Sequence, residues 1–337
     1  MRLRSPMAEN SAIEWTDHTF NPWEGCQKAG PGCELCYAEK RNARFGGGIA
    51  PNWGPGAPRR RTSPSNWRKP LRWDADAAAF YAQHGRRQRV FCASLADVFD
   101  NAVDPAWRTD LFDLIKATPN LDWLLLTKRI GNVEKMTAGT GFPENVWLGA
   151  TVVNQVEAER DIPKLATINA EVRFLSIEPL LRPIELGEHL IYRPCPNSLG
   201  GLQMDPSTGM YECCSRCDWT GIGDELAIHW VIVGGESGVG ARPMHPDWAR
   251  GIRDRCAAAG IPFLFKQWGE HSLDYDRERD DPDWRLCGDQ ERAHPGQWLN
   301  LAGGTGFHGE RVHYAARVGK KAAGRLLDGV QHDGVPA

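Results

Sequence analysis

The 337-residue chain has no apolar run approaching the ~18 residues of a membrane-spanning helix, which excludes a helical membrane protein. Met1–Asn10 lacks the apolar stretch of a secretion signal, so we expect a cytoplasmic protein without a membrane partner. The charge is almost balanced, with 40 Lys+Arg against 43 Asp+Glu. This balance excludes binding to nucleic acid through bulk positive charge, although a local basic patch remains compatible with it.

Cysteine is the residue type that stands out against these absences. The chain carries 10 cysteines but no secretion signal, which argues against a disulfide framework. In a reducing compartment, clustered cysteines are more often metal ligands or redox groups.

Short apolar runs alternate with amphipathic stretches along most of the chain. The expected strands are Glu14–Phe20, Arg89–Ser94, Asp122–Thr127, Val146–Val152, Val172–Ile177, His229–Val233 and Pro262–Phe265. The expected helices between them include Pro105–Ala117, Asn154–Leu165 and Pro246–Ala259. Continuous apolar runs of this length are typical of parallel strands that are buried on both faces. Residues 11–329 therefore predict a single α/β domain, a complete or partial (β/α) TIM-like barrel. An open doubly wound sheet is the alternative.

Four segments interrupt this pattern. Residues 46–72 are rich in Gly, Pro and Arg and are expected to form a long basic loop. Residues 191–224 form a Cys-containing insertion, and 274–296 are polar and expected to be a loop. The tail, residues 330–337, is expected to be disordered.

Charged residues lie at or just beyond the ends of four of the expected strands. They are Lys128, Glu178, Glu236 and Lys266. In (β/α) barrels, functional groups lie at the carboxyl ends of several strands, so we interpret this set as a site. The alternative is that these residues form structural salt bridges on a solvated edge.

The first cysteine cluster has the spacing C-x6-C-x2-C and consists of Cys26, Cys33 and Cys36. Three thiolates favour a 4Fe–4S cluster with one iron free to bind a small molecule. A structural zinc ion usually has four ligands, so a zinc site here would need His18 or a remote Cys. A redox dithiol formed by Cys33 and Cys36 is the third interpretation.

Several longer motifs carry a family resemblance from about Ser11 to Gly329. They are WTDHTFNPWEGCQKAGPGCELCYA (Trp15–Ala38), IEPLL (Ile177–Leu181), VIVGGESG (Val231–Gly238), FKQWGE (Phe265–Glu270) and GKKAAGRLLDG (Gly319–Gly329). The chain thereby resembles a phage and bacterial family of unknown function marked by a three-cysteine motif. That family is similar in outline to radical S-adenosylmethionine (SAM) enzymes, whose loop usually reads C-x3-C-x2-C. Here the first gap is longer, and Gly-Gly-Glu follows a late strand rather than the second one.

If SAM binds as in those enzymes, roles are expected for individual residues at the strand ends. Cys26, Cys33 and Cys36 would hold a 4Fe–4S cluster beside which SAM binds. The implied SAM-binding residues are Gly234, Gly235, Glu236, Ser237 and Arg242. Lys128, Glu178 and Lys266 are implied as catalytic, with Glu178 also orienting SAM. Substrate would meet Arg129, Gln267 and Trp268, with the Trp either stacking on a base or belonging to the core.

A basic, aromatic segment lies between Arg59 and Arg89. It carries nine basic residues against Asp74 and Asp76, a local excess of +7, with Trp53, Trp67 and Trp73 in or beside it. Arg interleaved with aromatics suits a phosphate backbone and unstacked bases, so a nucleic acid or a nucleotide is the expected substrate. The alternative is a solvated loop that its Trp residues anchor to the barrel.

A second cysteine cluster lies in the 191–224 insertion. Its members are Cys195, Cys213, Cys214 and Cys217. The CSRCDWTG sequence resembles half of a zinc ribbon, so these residues either bind zinc or are the remnant of a ribbon.

These features together predict a radical-SAM-like iron–sulfur enzyme that is associated with phage or prophage and modifies a nucleic-acid component or a nucleotide. Such an enzyme needs an electron donor as a partner. The alternative is a zinc-stabilised nucleic-acid-binding or interaction protein without catalysis.

Overall fold

A computed structural model describes residues 11, 13–137, 141–190, 202–204, 211–213, 227–277, 294–305 and 312–336. In chain order the strands are β1 (His18–Thr19), β2 (Trp23–Glu24), β3 (Arg60–Arg61), β4 (Gln88–Cys92), β5 (Leu121–Thr127), β6 (Val146–Thr151), β7 (Val172–Ile177), β8 (Leu202–Met204), β9 (Tyr211–Cys213), β10 (Trp230–Gly234), β11 (Phe263–Gln267), β12 (His271–Arg277), β13 (Gly296–Asn300) and β14 (Val312–Arg317).

The helices of the described residues connect these strands. They are α1 (Tyr37–Phe45), α2 (Pro64–Trp67), α3 (Lys69–Ala75), α4 (Ala77–His84), α5 (Pro105–Lys116), α6 (Val133–Met136), α7 (Gln155–Thr167), α8 (Pro246–Ala258) and α9 (Lys320–Ala323). No helix in this part of the chain is long and apolar enough to cross a membrane.

A seven-stranded sheet forms the centre of the protein. Its order is β1-β4-β5-β6-β7-β10-β11, and every neighbouring pair is parallel. The two end strands, β1 and β11, do not pair with each other, so the sheet is a partial barrel rather than a closed one. The expected α/β barrel class is thereby confirmed in its partial form.

The strands form where the sequence places apolar residues without interruption. All residues of β6 and β7 are buried, as two-sided coverage of a parallel strand requires. Side chains from one face join α5, α7 and α8 in the larger core cluster. The other face carries a second, aromatic-rich cluster that includes Trp147, Phe174 and Trp230. Each of the seven expected strands overlaps a strand of this sheet.

Three expected helices begin at side-chain caps. Asp104 accepts from the amide of Ala106 at the start of α5, and Asn154 accepts from Glu157 at the start of α7. Pro follows the cap of α5 directly, at a position where its missing N–H costs nothing. The observed helix boundaries lie within two residues of the expected ones.

Two segments expected to be loops contain regular structure. The basic loop, residues 46–72, includes β3, α2 and the start of α3. A three-stranded antiparallel sheet, in the order β12-β14-β13, takes in both ends of the expected 274–296 loop. Its strands mix polar and apolar residues, so no continuous apolar run marks them in the sequence; β14 is nevertheless buried at five of its six residues.

The expectation of a disordered tail is wrong for residues 330–336. Asp333 forms an antiparallel bridge with Leu264, and the Phe265 amide donates to the His332 carbonyl (3.0 Å). The indole of Trp230 donates to the carbonyl of Gly334 (2.7 Å). The backbone groups at the edge of β11 thus pair with the tail. The composition of the tail does not reveal this partner, because β11 is distant in sequence.

The Asp17–Arg86 ion pair joins the approach to β1 with the start of β4. Both Arg86 terminal nitrogens donate to the Asp17 carboxylate (2.6 and 2.9 Å), as does the Arg89 amide (2.8 Å). Burial alone would raise the pKa of Asp17, but these hydrogen bonds hold it below its ordinary 3.8. A lowered carboxyl pKa contributes stability that is present above the unfolded-state pKa and lost as pH falls through the folded-state pKa.

We therefore expect Asp17→Asn to flatten the loss of stability below about pH 4. Urea unfolding at pH values from 3 to 7 would measure this change in slope. Glu144→Gln, at an exposed position, is the control and should leave the acid slope unchanged. Equal slopes for wild type and Asp17→Asn would contradict the assignment.

Candidate metal centre

The three cysteines of the first cluster lie in one loop at the carboxyl edge of the sheet. The backbone of Cys26 forms an isolated parallel β-bridge with Trp53. Cys33 ends a short 3₁₀ helix (Pro31–Cys33), and Cys36 directly precedes α1. All three are half-buried free thiols. We call residues 25–36 the cysteine loop.

The cysteine loop crosses the ends of several strands. The amide of Gly25 donates to the Leu95 carbonyl (3.1 Å), just beyond β4. A Cβ on Gly30 would lie 2.3 Å from the Glu157 carboxylate, beyond β6, so the loop passes close to this side chain. The loop therefore covers the edge where functional groups of parallel sheets collect.

Arg129 holds the first part of the loop. Its Nη2 donates to the Gln27 carbonyl (2.7 Å), and its Nη1 lies 3.6 Å from Cys26 Sγ. The same Nη1 donates to Asp97 (2.9 Å), whose carboxylate also accepts from the Thr127 hydroxyl (2.8 Å). Burial alone would lower the pKa of Arg129, but the charge of Asp97 raises it above its ordinary value. Arg129 therefore contacts Asp97 and the loop, and its expected contact with substrate stays a prediction.

Arg242 holds the second part of the loop. It donates to the Pro31 carbonyl (3.1 Å) and to Glu34 (2.7 Å), which lies between Cys33 and Cys36. Its other donors meet the buried carboxylate of Glu236 (2.6 and 2.8 Å). Arg242 and Glu236 thus form an ion pair that ties the end of β10 to the cysteine loop.

Glu178 is the centre of a second network at the same edge. Its carboxylate accepts from Lys266 Nζ (2.8 Å) and from Gln267 Nε2 (3.2 Å). Gln267 also donates to the Ser237 hydroxyl (3.0 Å). Four residues from three strand ends that the sequence suggested are therefore brought into contact, with a salt bridge at the centre.

Lys128 lies between the two networks. Its Nζ is 3.3 Å from the Thr151 hydroxyl at the end of β6. It is also close enough to Cys36 to stabilise the thiolate electrostatically. Arg129 and Lys266 are each paired with a carboxylate. Lys128 has no ion-pair partner among the described residues, and its charge acts on the cysteine loop.

The glycines expected to bind SAM, Gly234 and Gly235, lie where backbones and side chains pack closely, and their binding role stays a prediction. A Cβ on Gly235 would lie 2.0 Å from the Trp268 carbonyl, and one on Gly234 would lie 3.3 Å from the Glu178 carboxyl group. These glycines allow the strand-end loops to pack against each other. Trp268 is 9% exposed, packs on Phe265 and donates to the Leu326 carbonyl (2.8 Å). Trp268 is therefore a core residue, contrary to the stacking role.

Burial governs the acidity of two loop thiols. It raises the pKa of Cys26 to about 11, against the opposing charge of Arg129. It also raises the pKa of Cys36, although two backbone amides donate to that sulfur. A raised pKa at Cys36 is unlike the low pKa of the cysteines in redox catalysts.

One other group of potential metal ligands lies away from the cysteine loop. Within the described ranges, His245, Asp247 and His313 are the one set of three His, Cys, Asp or Glu ligand atoms within 4.8 Å of one another. His245 Nδ1 accepts from the Asp247 amide (3.2 Å) as the cap of α8, and Asp247 pairs with Arg250 (2.8 Å). Capping and ion pairing therefore account for much of this arrangement.

The basic segment is largely neutralised by acids from elsewhere in the chain. Its ion pairs are Arg59–Asp100, Arg60–Glu24, Arg61–Asp110, Arg86–Asp17 and Arg87–Asp122. Trp73 is buried and stacks on His18, and Trp67 lies under Arg61. Arg68, Lys69 and Arg72 make no ion pair with any residue that the structure describes. The free charge is thus much smaller than the sequence excess suggests.

The second cysteine cluster lies outside the described residues. This applies to Cys195, Cys214 and Cys217, and to the side chain of Cys213, whose backbone belongs to β9. Its expected zinc binding stays a prediction.

Sequence reasoning did not assign roles to Asp97, Glu34 or Glu157. Asp97 follows β4 by five residues, so its place at a strand end was a usable signal. Glu34 gave no such signal, because its partner Arg242 lies 208 residues away. Glu157 lies on α7, away from the strand ends, and its carboxylate accepts from the nearby Val153 amide.

Fold and site together define a partial (β/α) barrel protein with a three-cysteine loop over the carboxyl edge of its sheet. The chain belongs to the family described as "Protein of unknown function (DUF5131)", whose model matches residues 10–336. No curated protein matches it. Among solved structures, it is similar to a spore photoproduct lyase double mutant with bound AdoMet and dinucleoside spore photoproduct, at 13% identity and a TM-score of 0.33. The match covers 54% of this chain and 51% of that chain.

Proposed function

We propose that this protein is a radical-SAM-type iron–sulfur enzyme that modifies a nucleic-acid component or a nucleotide. The observation that carries the proposal is the loop of three half-buried cysteines, spaced C-x6-C-x2-C, across the carboxyl edge of a parallel sheet. An association with phage remains a prediction from sequence resemblance.

The donor set fits an iron–sulfur cluster better than a single ion. Three thiol ligands leave one coordination site for a small molecule in a cluster, whereas structural zinc takes four protein ligands. Among the described residues, the three sulfurs do not form a group within 4.8 Å of one another. Separate iron atoms, each with its own cysteine, suit this wider spacing better than one shared ion.

The chain's own residues would bind and orient the reactants. When bound, the cluster would supply the electron that cleaves SAM. Arg129 and Arg242 hold the loop from two sides, so that the cysteines keep fixed positions. Ser237 and Gln267 offer a hydroxyl and an amide to the polar groups of SAM, beside Glu178.

Charge at this edge would then select the substrate. Lys128 and Lys266 place two ammonium groups near the loop, which suits a phosphate-bearing substrate. Lys266 is already held by Glu178, so it would act in binding and orientation as part of that pair. An external protein or small-molecule donor would have to supply the electron.

Anaerobic reconstitution with iron and sulfide tests the proposal. We expect a brown protein with about four iron atoms per chain and charge-transfer absorption. Cys33→Ala should lose most of both, because one of the three ligands is gone. Cys256→Ala, at a buried cysteine of α8, is the matched control and should keep the colour.

Two outcomes would decide against the cluster. A colourless reconstituted protein that carries only zinc would support the rival, a zinc-stabilised binding protein without catalysis. Equal iron contents in the Cys33→Ala and Cys256→Ala variants would show that iron is bound elsewhere.

A further inference from the structure

Two adjoining clefts lie beside the cysteine loop, on the side of β1 and β4. The first has a volume of about 350 Å³ and is lined by the side chains of Arg41, Arg60 and Lys69. The second has a volume of about 440 Å³ and is lined by Arg68 and Arg72. Ser65 lines both clefts, so they adjoin, and five cations lie along them.

Hydrogen bonds through Asn21, Ser94 and Tyr37 connect the first cleft with the end of the cysteine loop. Asn21 lines it and donates to the Ser94 hydroxyl (3.0 Å). The Ser94 carbonyl accepts from the hydroxyl of Tyr37, the residue that follows Cys36. A chain molecule lying in the clefts would therefore pass close to the loop.

The balance of charge in the clefts favours an anion. Glu24, the one acid that lines them, is already paired with Arg41 and Arg60. Lys69 is half-buried, and Arg68 and Arg72 are exposed, without ion-pair partners in the described part of the chain. Hydroxyl and amide groups of Thr62, Ser63, Ser65 and Asn66 complete the walls.

We propose that these clefts bind the phosphodiester backbone of a single-stranded nucleic acid. Cations combined with hydroxyl and amide side chains are the groups that contact phosphate and sugar in nucleic-acid complexes. A free nucleotide would need only one of the clefts, whereas the cations are distributed along both. The inference that this strand is the substrate rests on the proposed function, but its binding does not.

Fluorescence anisotropy with a labelled single-stranded oligonucleotide, at several salt concentrations, tests this surface. The Arg68→Gln/Arg72→Gln double variant removes two cations of the second cleft. Each lost phosphate contact should reduce the slope of log K against log salt by about 0.7 for a single strand. We therefore expect a slope smaller by about 1.4, and binding at least about tenfold weaker at low salt.

The Lys116→Gln/Arg255→Gln double variant is the matched control. Both residues are exposed and lie near the carboxyl ends of α5 and α8, which return toward the opposite edge of the sheet. It should bind within about twofold of wild type. A loss equal to that of the cleft variant would mean that the strand responds only to net charge, and would overturn the proposal.

Two further results separate this proposal from the proposed function. Salt-dependent strand binding by a protein that forms no cluster on anaerobic reconstitution would support the clefts and reject the radical chemistry. Binding that is independent of salt, or a mononucleotide that binds as tightly as the strand, would overturn the proposal even if the cluster forms.

Discussion

Asp100→Ala is expected to destabilise the protein by about 3–5 kcal/mol, because it removes one partner of a buried ion pair. Arg59 Nε lies 2.7 Å from Asp100 Oδ2, and the two side chains are 1% and 0% exposed. The variant would leave a guanidinium in the interior with no carboxylate to offset its desolvation. Urea unfolding monitored by tryptophan fluorescence would measure the loss.

The same substitution should loosen the support of the cysteine loop. Arg59 Nη1 donates to the carbonyls of Ala57 (2.8 Å) and Asn52 (3.3 Å), which shape the turn before it. Within that turn, the Gly54 amide donates to the Cys26 carbonyl (2.9 Å). Loss of the buried pair would therefore loosen the turn that Arg59 holds, and with it the hydrogen bond from Gly54 to Cys26.

An exposed pair of the same type provides the control. Arg61 and Asp110 are 2.7 Å apart, with side chains 35% and 49% exposed. Asp110→Ala should cost at most about 1 kcal/mol, because water already solvates both charges. If both variants cost the same, burial of the Arg59–Asp100 pair is not what makes it important.

The central sheet could be predicted from sequence because its signal is local. A strand such as Val172–Ile177 is buried on both faces, so most of its residues are apolar. The resulting apolar run identifies the strand in the sequence. The small antiparallel sheet lacks such an apolar run. In β13 only the last two residues are buried, and the buried strand β14 includes the polar His313.

The site was only partly predictable, for a different reason. The cysteine spacing and the charged strand ends are local patterns, and they located the edge correctly. The ion-pair partners are not local: Arg242 and Glu34 are 208 residues apart, and Arg129 and Gln27 are 102 apart. The sequence does not distinguish a cation that binds a ligand from one that holds a loop. The two differ only in the group that pairs with the cation, which lies far away in sequence.

Arg129 illustrates this distinction and supports the second large prediction. If the proposed cluster forms, we expect Arg129→Met to lower its reduction potential. The Arg129 N–H groups point at Cys26 Sγ (3.6 Å) and at the Gln27 carbonyl (2.7 Å). Hydrogen bonds to ligand sulfur stabilise the reduced, more negative state, so their removal disfavours reduction. A contribution of about 1 kcal/mol corresponds to ~40 mV for one electron.

Arg242→Met separates this electrostatic effect from loosening of the loop. Arg242 also donates to the cysteine loop, at Pro31 and Glu34, but none of its observed donors meets a sulfur. Redox titration followed by electron paramagnetic resonance should give a near wild-type potential for Arg242→Met.

Arg129→Lys should recover part of the shift, because it restores a positive charge without the planar fork. Equal shifts in the Arg129→Met and Arg242→Met variants would show that the potential responds to the position of the loop. A reduction potential that shifts in Arg129→Met but not in Arg242→Met would assign the effect to the contact between Arg129 and Cys26.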